Sequence, residues 1–328
     1  MTPSPGVLVV DTDTGIDDAM ALVHALLDNA PIELITTVHG NSDVDSCTRN
    51  ALELLELTQT DIPVARGAQG PIIQGCGAAP QIHGIEGRGS LPAPVLRTRP
   101  VPGHAVQRIL EMVASNPSEV TIVAMGRLTN VALACLLEPQ TMKSVRKVVW
   151  MGGAVSVSGN TSPVAEANLD GDPEALRIVL AHGVPLTILP LDVTMDVRLT
   201  QDDLNSLAAS AHRAVVHLTR LVPFYLDAYE AILGVRECAL HCGLLMGIVM
   251  DPSLVTASTR LPVTVELQGE HTRGMLVVDR REARGVRTPA VPSDIHTPEI
   301  ITGVDGQKYK AQFLAALLGT TSTATGSR

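Results

Sequence analysis

The feature that most restricts the fold of this chain is an alternation of short apolar runs with helical patterns near its N-terminus. The apolar run at residues 7–10 is followed over residues 19–27 by apolar side chains spaced three and four apart. Two further apolar runs, at 33–38 and 62–65, enclose a second helical pattern at 46–57. Because a βαβαβ order joins parallel strands, we predict an α/β fold. Its sheet is mostly parallel and doubly wound (Rossmann-like), with helices on both faces.

The rest of the chain continues this alternation after one long loop. Residues 67–102 are rich in Gly and Pro and show little periodicity, and a loop of this length in a compact domain is usually functional. A mostly helical stretch is predicted at 200–250 and a closing hairpin at 261–267 and 274–278. Further strands are predicted at 120–124, 145–151 and 184–189. Since we find no linker and no repeat, we predict a single domain over 1–318 and a disordered tail over 319–328.

Charge and composition exclude several classes of partner. The formal net charge is −10, from 24 Lys and Arg against 34 Asp and Glu, which argues against a nucleic-acid partner because phosphate backbones attract clustered cations. No run of about 18 apolar residues is present, so we predict no membrane span. The N-terminus lacks the pattern of a signal peptide, and the five cysteines are an odd number without zinc-site spacing. We therefore expect reduced thiols and a cytoplasmic protein.

The densest chemical signal is the segment Asp11-Thr-Asp13-Thr-Gly-Ile-Asp17-Asp18, which directly follows the first apolar run. Ligands of α/β folds bind at the ends of such strands. Carboxylates this close repel one another unless a cation or a shared proton intervenes. Oxygen ligands alone favour a hard ion such as Ca²⁺ or Mg²⁺.

Two other interpretations of this segment remain open at this point. It could be a helix cap with solvated acidic residues, although four carboxylates after an apolar strand fit that poorly. It also resembles the haloacid dehalogenase-type phosphatases, in which the first Asp of an Asp-x-Asp pair is a nucleophile. That pattern has Thr or Val where this chain has Gly15, and it gives Asp17 and Asp18 no role.

The same segment is similar to the Asp-x-Asp-x-Gly-x-Asp-Asp signature of the nucleoside hydrolases, the inosine-uridine-preferring family. Further matches follow in the family's order over most of the chain: Thr36-Thr-Val-His-Gly-Asn41, His83-Gly84, Gly126-Arg-Leu-Thr-Asn130, Met151-Gly-Gly153, Gly159-Asn160, Glu166-Ala-Asn168, Asp172-Pro-Glu174, His241, Asp251-Pro252 and the run from Arg273 to Asp279. The resemblance implies the nucleoside hydrolase fold. It also implies hydrolysis of the N-glycosidic bond of ribonucleosides to ribose and free base.

The resemblance also implies a Ca²⁺ site and a catalytic pair. Asp13 and Asp18 would bind the ion through their carboxylates and Met125 through its backbone carbonyl, with Cys242 at the remaining ligand position. Asp13 would also act as the general base on a metal-bound water. His241 would face the base and help to protonate the leaving nitrogen.

The remaining residues implied by the resemblance bind the nucleoside. The ribose hydroxyls would be held by acidic and amide side chains: Asp17, Asn41, Asn160, Glu166 and Asn168. The base would lie near Tyr225 and Tyr229, and His83 would also bind the substrate. The resemblance further implies a homodimer or homotetramer, and a role in nucleoside metabolism such as purine or pyrimidine salvage.

Several of these residues also have an ordinary structural interpretation. The residues around Asn160 and Glu166 could form a plain polar loop. Tyr225 and Tyr229 are four apart on a predicted helix, so core packing explains them equally well. His241 could be a structural histidine, and His83 could simply be an exposed residue of its loop.

The clearest departure from the family is Cys242, which stands where the family has an Asp that ligates the metal. A thiol is a soft ligand and Ca²⁺ is a hard ion, so Cys242 is expected to be a poor replacement. A second hypothesis is therefore a weakly active or non-catalytic homologue that still binds nucleosides or ribose.

Overall fold

The protein is described here by a computed structural model that covers residues 6–281 and 296–320. Its strands are β1 (Val7–Thr12), β2 (Ile32–Thr37), β3 (Val64–Arg66), β4 (Val120–Ala124), β5 (Lys147–Met151), β6 (Leu186–Leu189), β7 (Arg198–Thr200), β8 (Glu237–Ala239), β9 (Val255–Arg260), β10 (Val263–Val265), β11 (Leu276–Val278) and β12 (Glu299–Val304). Its α-helices are α1 (Ile16–Leu27), α2 (Val44–Thr58), α3 (Pro80–His83), α4 (Ala105–Ser115), α5 (Thr129–Leu137), α6 (Pro139–Met142), α7 (Ala167–Gly171), α8 (Pro173–Ala181), α9 (Leu191–Thr194), α10 (Gln201–Leu207), α11 (Arg213–Leu233), α12 (His241–Met250) and α13 (Gly306–Leu318).

The central sheet confirms the predicted fold class. Its eight strands lie in the order β3-β2-β1-β4-β5-β6-β12-β9. All neighbours are parallel except β9, which pairs antiparallel with β12 at the edge. The order of the first six strands is that of a doubly wound sheet, and the direction of winding reverses between β1 and β4. Ligands of such sheets bind at this reversal, at the carboxyl ends of the strands.

Alternate residues of the central strands pack into two separate cores, one on each face of the sheet. In β1, Leu8 and Val10 belong to one core and Val9 to the other, and in β5, Val149 and Trp150 divide in the same way. Helices α1, α2, α11, α12 and α13 cover the first face, and α4, α5 and α8 cover the second. Burial on both faces explains why the strands are continuous apolar runs rather than alternating ones.

The structure corrects several predicted boundaries. The mostly helical stretch 200–250 is confirmed as three helices, α10, α11 and α12, and the short strand β8, which pairs with β7, lies between the last two. The closing hairpin is confirmed, with the shorter strands β10 and β11. The loop at 67–102 holds the single turn α3, whereas α4, β9, β12 and α13 were not predicted.

Two further predictions concern a membrane span and the disordered tail. In the described ranges, no helix combines the length and the apolar character that crossing a membrane requires. Most of the predicted disordered tail, residues 321–328, lies outside the described residues.

Candidate active site

The acidic segment lies where β1 turns into α1. Its four aspartates are buried, each with no more than 6% of its surface exposed. Thr14 adopts a left-handed backbone (φ 26°) in this tight turn. Asp18 fixes the turn, because its carboxylate accepts hydrogen bonds from Thr12 Oγ1 (2.7 Å) and from the backbone N–H of Gly15 (3.1 Å). The second bond caps the N-terminus of α1, so the segment is both a helix start and an acidic cluster.

Asn41, from the loop after β2, joins two of these carboxylates. Its backbone N–H donates to Asp13 Oδ2 (2.8 Å) and its side-chain amide donates to Asp18 Oδ2 (3.2 Å). The loop approaches closely because residue 40 is glycine, where a Cβ would lie 1.9 Å from Asp13 Oδ2. Asp13 Oδ1 is buried without a hydrogen-bond partner among the described residues. This oxygen is therefore available to a ligand.

The pKa values of Asp13 and Asp18 are raised. Burial, strengthened by the charge of Asp17, raises the pKa of Asp13 to about 7, although Arg127 and the bond from Asn41 oppose the shift. Burial and then the charges of Asp13 and Asp17 raise the pKa of Asp18 well above its ordinary value. Burial is the main cause in both cases, and the charge of a bound cation would oppose it.

The residues at this end of the sheet fit a divalent cation. A carboxylate oxygen of Asp17, one of Asp18 and the sulfur of Cys242 lie within 4.8 Å of one another. Cys242 Sγ is also 3.5 Å from the carbonyl oxygen of Met125, at the end of β4. Burial and the nearby aspartates raise the pKa of the Cys242 thiol well above its ordinary range. Three of the four predicted ligands, Asp18, Met125 and Cys242, therefore lie together with Asp17, and one of these positions is a neutral thiol. Ligation by Asp13 stays a prediction.

Glu166 and Asn168 lie beside this cluster at the start of α7. The buried Glu166 carboxylate caps the helix by accepting from the backbone N–H groups of Asn168 (2.9 Å) and Leu169 (3.1 Å), and it also accepts from Gly153 (2.8 Å). Burial raises its pKa. The Asn168 amide donates to the carbonyl oxygens of Met125 (2.8 Å) and Met151 (3.0 Å), the residues that end or follow β4 and β5.

Asn160, the other predicted ribose contact of this region, lies on the surface. Its side chain is exposed, and its Oδ1 accepts from the backbone N–H of Ala167 at the start of α7 (2.9 Å). Asn160 therefore supports the helix that carries Asn168, and its contact with ribose stays a prediction.

A row of buried aromatic rings flanks the acidic cluster. The ring centroids of His83 and Tyr225 are 5.3 Å apart, those of Tyr225 and Tyr229 4.8 Å, and those of Tyr229 and His241 6.4 Å. His83 Nδ1 accepts from the backbone N–H of Ile16, which ties the loop at 67–102 to the start of α1. The two tyrosines pack into the apolar core and also join the predicted site histidines in one row.

His241 uses both ring nitrogens within the protein. Nε2 is 2.7 Å from the hydroxyl of Tyr229, and Nδ1 is 2.7 Å from Oγ1 of Thr194. Burial lowers the pKa of His241 to about 4, against the opposing charge of Asp17. Both ring nitrogens of His241 are therefore engaged by side chains of the protein, and its contact with a base stays a prediction. Sequence reasoning missed Thr194, since a lone Thr in a short helix gives no signal.

Arg127 is the second residue that sequence reasoning missed. It is buried, its Nη1 is 2.8 Å from His39 Nδ1, and its Nη2 donates to the carbonyl of Gly77 (2.9 Å). It also places a positive charge near Asp13, where it opposes the rise of the Asp13 pKa. Its motif, Gly126-Arg-Leu-Thr-Asn130, was the available signal, but the sequence did not indicate a role.

Residues 8–311 match the family model described as "Inosine-uridine preferring nucleoside hydrolase". The chain belongs to this family. It is 34% identical over 318 residues to the inosine-uridine preferring nucleoside hydrolase of Crithidia fasciculata, an alignment that covers 95% of this chain and 98% of that protein. It is 37% identical over 255 residues to a probable uridine nucleosidase 2 of Arabidopsis thaliana, covering 76% and 79%.

Solved structures of nucleoside hydrolases superpose on this chain. A plant nucleoside hydrolase, the PpNRh1 enzyme, superposes with a TM-score of 0.88 at 31% identity and covers 96% of this chain and 99% of its own. A purine-preferring ribonucleoside hydrolase from Gardnerella vaginalis gives 0.85 at 29% identity, with 95% and 98% coverage. The protein is thus a nucleoside hydrolase, an enzyme of nucleoside metabolism in a metal-dependent family. The phosphatase and binding-protein alternatives are not favoured.

Proposed function

We propose that this nucleoside hydrolase cleaves the N-glycosidic bond of ribonucleosides to give ribose and a free base. The observation that carries the proposal is the meeting of three parts at the reversal point of the sheet. These are a buried carboxylate cluster, the pair Glu166 and Asn168, and the aromatic row that ends at His241.

Asp13 is proposed as the general base. Its Oδ1 has no partner among the described residues, while Asn41 holds its Oδ2 and so fixes the orientation of the carboxylate. In the reaction Asp13 takes a proton from the attacking water, the water oxygen bonds to C1′, and the C1′–N bond breaks. The bonding pair leaves with the base, which takes up one proton from water on the side of Tyr229 and His241, and the proton on Asp13 is released to water.

The metal is proposed to be Ca²⁺, held by Asp13, Asp18 and the carbonyl of Met125, with Cys242 at the fourth position. Mostly oxygen ligands support a hard ion. When bound, such an ion orients the ribose diol and makes a nearby water more acidic.

The ribose is proposed to lie against the acidic and amide side chains beside the cluster: Asp17, Asn41, Asn160, Glu166 and Asn168. As the C1′–N bond breaks, positive charge develops on the sugar. A preorganised acidic pocket lowers the energy of that transition state. The base is proposed to lie against His83, Tyr225 and Tyr229. A cytoplasmic location and a homodimer or homotetramer are proposed from the sequence and the family.

The test is to measure release of free base from uridine and inosine by the purified protein, with and without added Ca²⁺. Ribose and base in equal amounts, formed faster with Ca²⁺, are expected. Binding of nucleosides without base release would instead indicate a non-catalytic homologue. Release of inorganic phosphate from a nucleotide, without base release, would indicate a phosphatase.

A further inference from the structure

A chain of buried hydrogen bonds extends from Thr194 to Tyr225, behind the region assigned to the base. Thr194 Oγ1 and Tyr229 Oη contact the two nitrogens of His241, each at 2.7 Å. Tyr225 Oη donates to Tyr229 Oη at 3.4 Å. All four side chains are at least nine-tenths buried. Water therefore does not readily satisfy these groups, and the direction of each hydrogen bond can be assigned from its partners.

The hydrogen bond between Thr194 and His241 determines the direction of the other hydrogen bonds in this chain. In the part of the chain that the structure describes, His241 Nδ1 is the one hydrogen-bond partner of Thr194 Oγ1. Thr194 is the more completely buried of the two residues that contact His241, with none of its surface exposed against 8% for Tyr229, so its hydrogen is the one that must find an acceptor within the protein, and that acceptor is Nδ1. Nδ1 therefore carries no proton, and the single proton of the neutral ring lies on Nε2.

The proton on Nε2 determines the hydrogen bonds of the Tyr229 hydroxyl. Nε2–H of His241 donates to Tyr229 Oη, and Tyr225 donates to the same oxygen. Both acceptor positions of this oxygen are thus filled, while its own hydrogen has no acceptor within residues 6–281 and 296–320. That hydrogen is left for an acceptor on a bound ligand.

Thr194 is held in place for this task. It ends the short helix α9, which follows β6 at the same edge of the sheet as the acidic cluster. Asp192 on this helix accepts from the backbone N–H groups of Val155 (2.7 Å) and Ser156 (2.6 Å). These bonds join α9 to the loop after β5, so Thr194 sits on a fixed support.

We propose that Thr194 is a positioning residue for departure of the base: it fixes the tautomer of His241 and thereby directs the Tyr229 hydroxyl hydrogen at the leaving base. This inference rests on the proposed function. The acceptor is a carbonyl oxygen or ring nitrogen of the base, which gains negative charge as the C1′–N electron pair moves into it. The hydrogen bond strengthens in the transition state, so its loss lowers kcat more than it raises KM.

The kinetic experiment compares Thr194→Val, which keeps the shape and removes the hydroxyl, with Thr194→Ser, which restores it. Each is assayed on uridine and on p-nitrophenyl β-riboside, whose leaving group departs as a stable anion. The kcat ratio of uridine to nitrophenyl riboside is expected to fall about fivefold in Thr194→Val, the usual effect of one hydrogen bond, and to recover in Thr194→Ser. An unchanged ratio in Thr194→Val would overturn the proposal.

Two further measurements separate this role from a merely structural one. In a Tyr229→Phe background, Thr194→Val should change the ratio no further, and an additional loss would show that Thr194 acts elsewhere. The ¹⁵N shifts of His241 should report an Nε2–H tautomer in the wild type and a shift toward Nδ1–H in Thr194→Val. An Nδ1–H tautomer in the wild type overturns this inference whatever the activity, whereas absence of base release overturns only the proposed function.

Discussion

Replacing Cys242 by Asp tests the metal site at its one unusual ligand. In the structure the Cys242 sulfur lies within 4.8 Å of carboxylate oxygens of Asp17 and Asp18. Since burial raises the pKa of its thiol, the group is neutral at pH 7. The substitution therefore adds a full negative charge in the midst of two existing ones. We expect tighter Ca²⁺ binding and a less stable metal-free protein.

The size of the effect follows from two opposing Coulomb interactions. A divalent cation and a carboxylate about 4 Å apart attract by roughly 8 kcal/mol at an effective dielectric constant of about 20. At the observed limit of 4.8 Å, repulsion from each neighbouring aspartate is about 3.5 kcal/mol on the same scale. The repulsion is present with and without the ion, so it cancels in the Kd and instead lowers the stability of the metal-free protein. The attraction should tighten Ca²⁺ binding by at least about tenfold.

Calorimetric titration of Ca²⁺ into the wild type and the Asp variant measures this directly. Cys242→Asn is the matched control, because it has the shape of Asp and an oxygen ligand without the charge, and it should bind Ca²⁺ less tightly than the Asp variant does. Thermal unfolding without metal should show a lower Tm for the Asp variant alone. Equal or weaker Ca²⁺ binding by the Asp variant would mean that residue 242 points away from the ion, and the assigned site would then be wrong.

Three further predictions follow from the same structure. Asp13→Asn should lower kcat by at least ~10²-fold in base-release assays, because it removes the general base. If Asp17, Glu166 and Asn168 hold the ribose hydroxyls, 2′-deoxynucleosides should bind worse by roughly 1–3 kcal/mol in competition assays. Burial lowers the pKa of His24 from 6.5 to about 4, so the unfolded state binds more protons between these values. Stability should fall as pH drops from 6.5 to 4, and chemical denaturation should show a shallower fall for His24→Phe.

Each of these three predictions has its own control or its own contradicting result. The exposed Asp28→Asn should keep full turnover, and comparable turnover by Asp13→Asn would remove the general base from the mechanism. Equal affinity for deoxynucleosides and ribonucleosides would count against the ribose contacts. The exposed His271→Phe is the matched control for the His24 variant. If the stability of His24→Phe falls with decreasing pH as steeply as that of the wild type, a lowered pKa of His24 does not cause the fall.

The sequence predicted the fold where the pattern is local. The runs of β1, β2 and β4 are apolar because both faces of the sheet are covered, and such runs can be recognised without knowing their partners. By contrast, β12 joins the sheet between β6 and β9 through contacts distant in sequence. Its six residues, Glu-Ile-Ile-Thr-Gly-Val, are too short and too mixed to indicate a strand alone.

The same difference between local patterns and contacts distant in sequence applies to the site residues. The carboxylates of Asp11 to Asp18 are adjacent in sequence, and the family motifs placed Glu166, Asn168 and His241 around them. Thr194 and Arg127 were missed because their roles depend on partners that the fold brings from far along the chain. Thr194 meets a histidine 47 positions away, and Arg127 meets His39, 88 positions away.

The position of α13 makes completion of the site depend on the order of synthesis. This helix is the last described element to be translated, yet it packs on the helix that begins with Asp17 and Asp18, where Tyr309 and Phe313 meet His24 edge-on. The Tyr309 ring also lies so close to Gly247 that a Cβ there would be 2.4 Å from it. A nascent chain can form β1 and the acidic turn early. The support behind that turn, and behind the helix that carries His241, arrives only when α13 has left the ribosome.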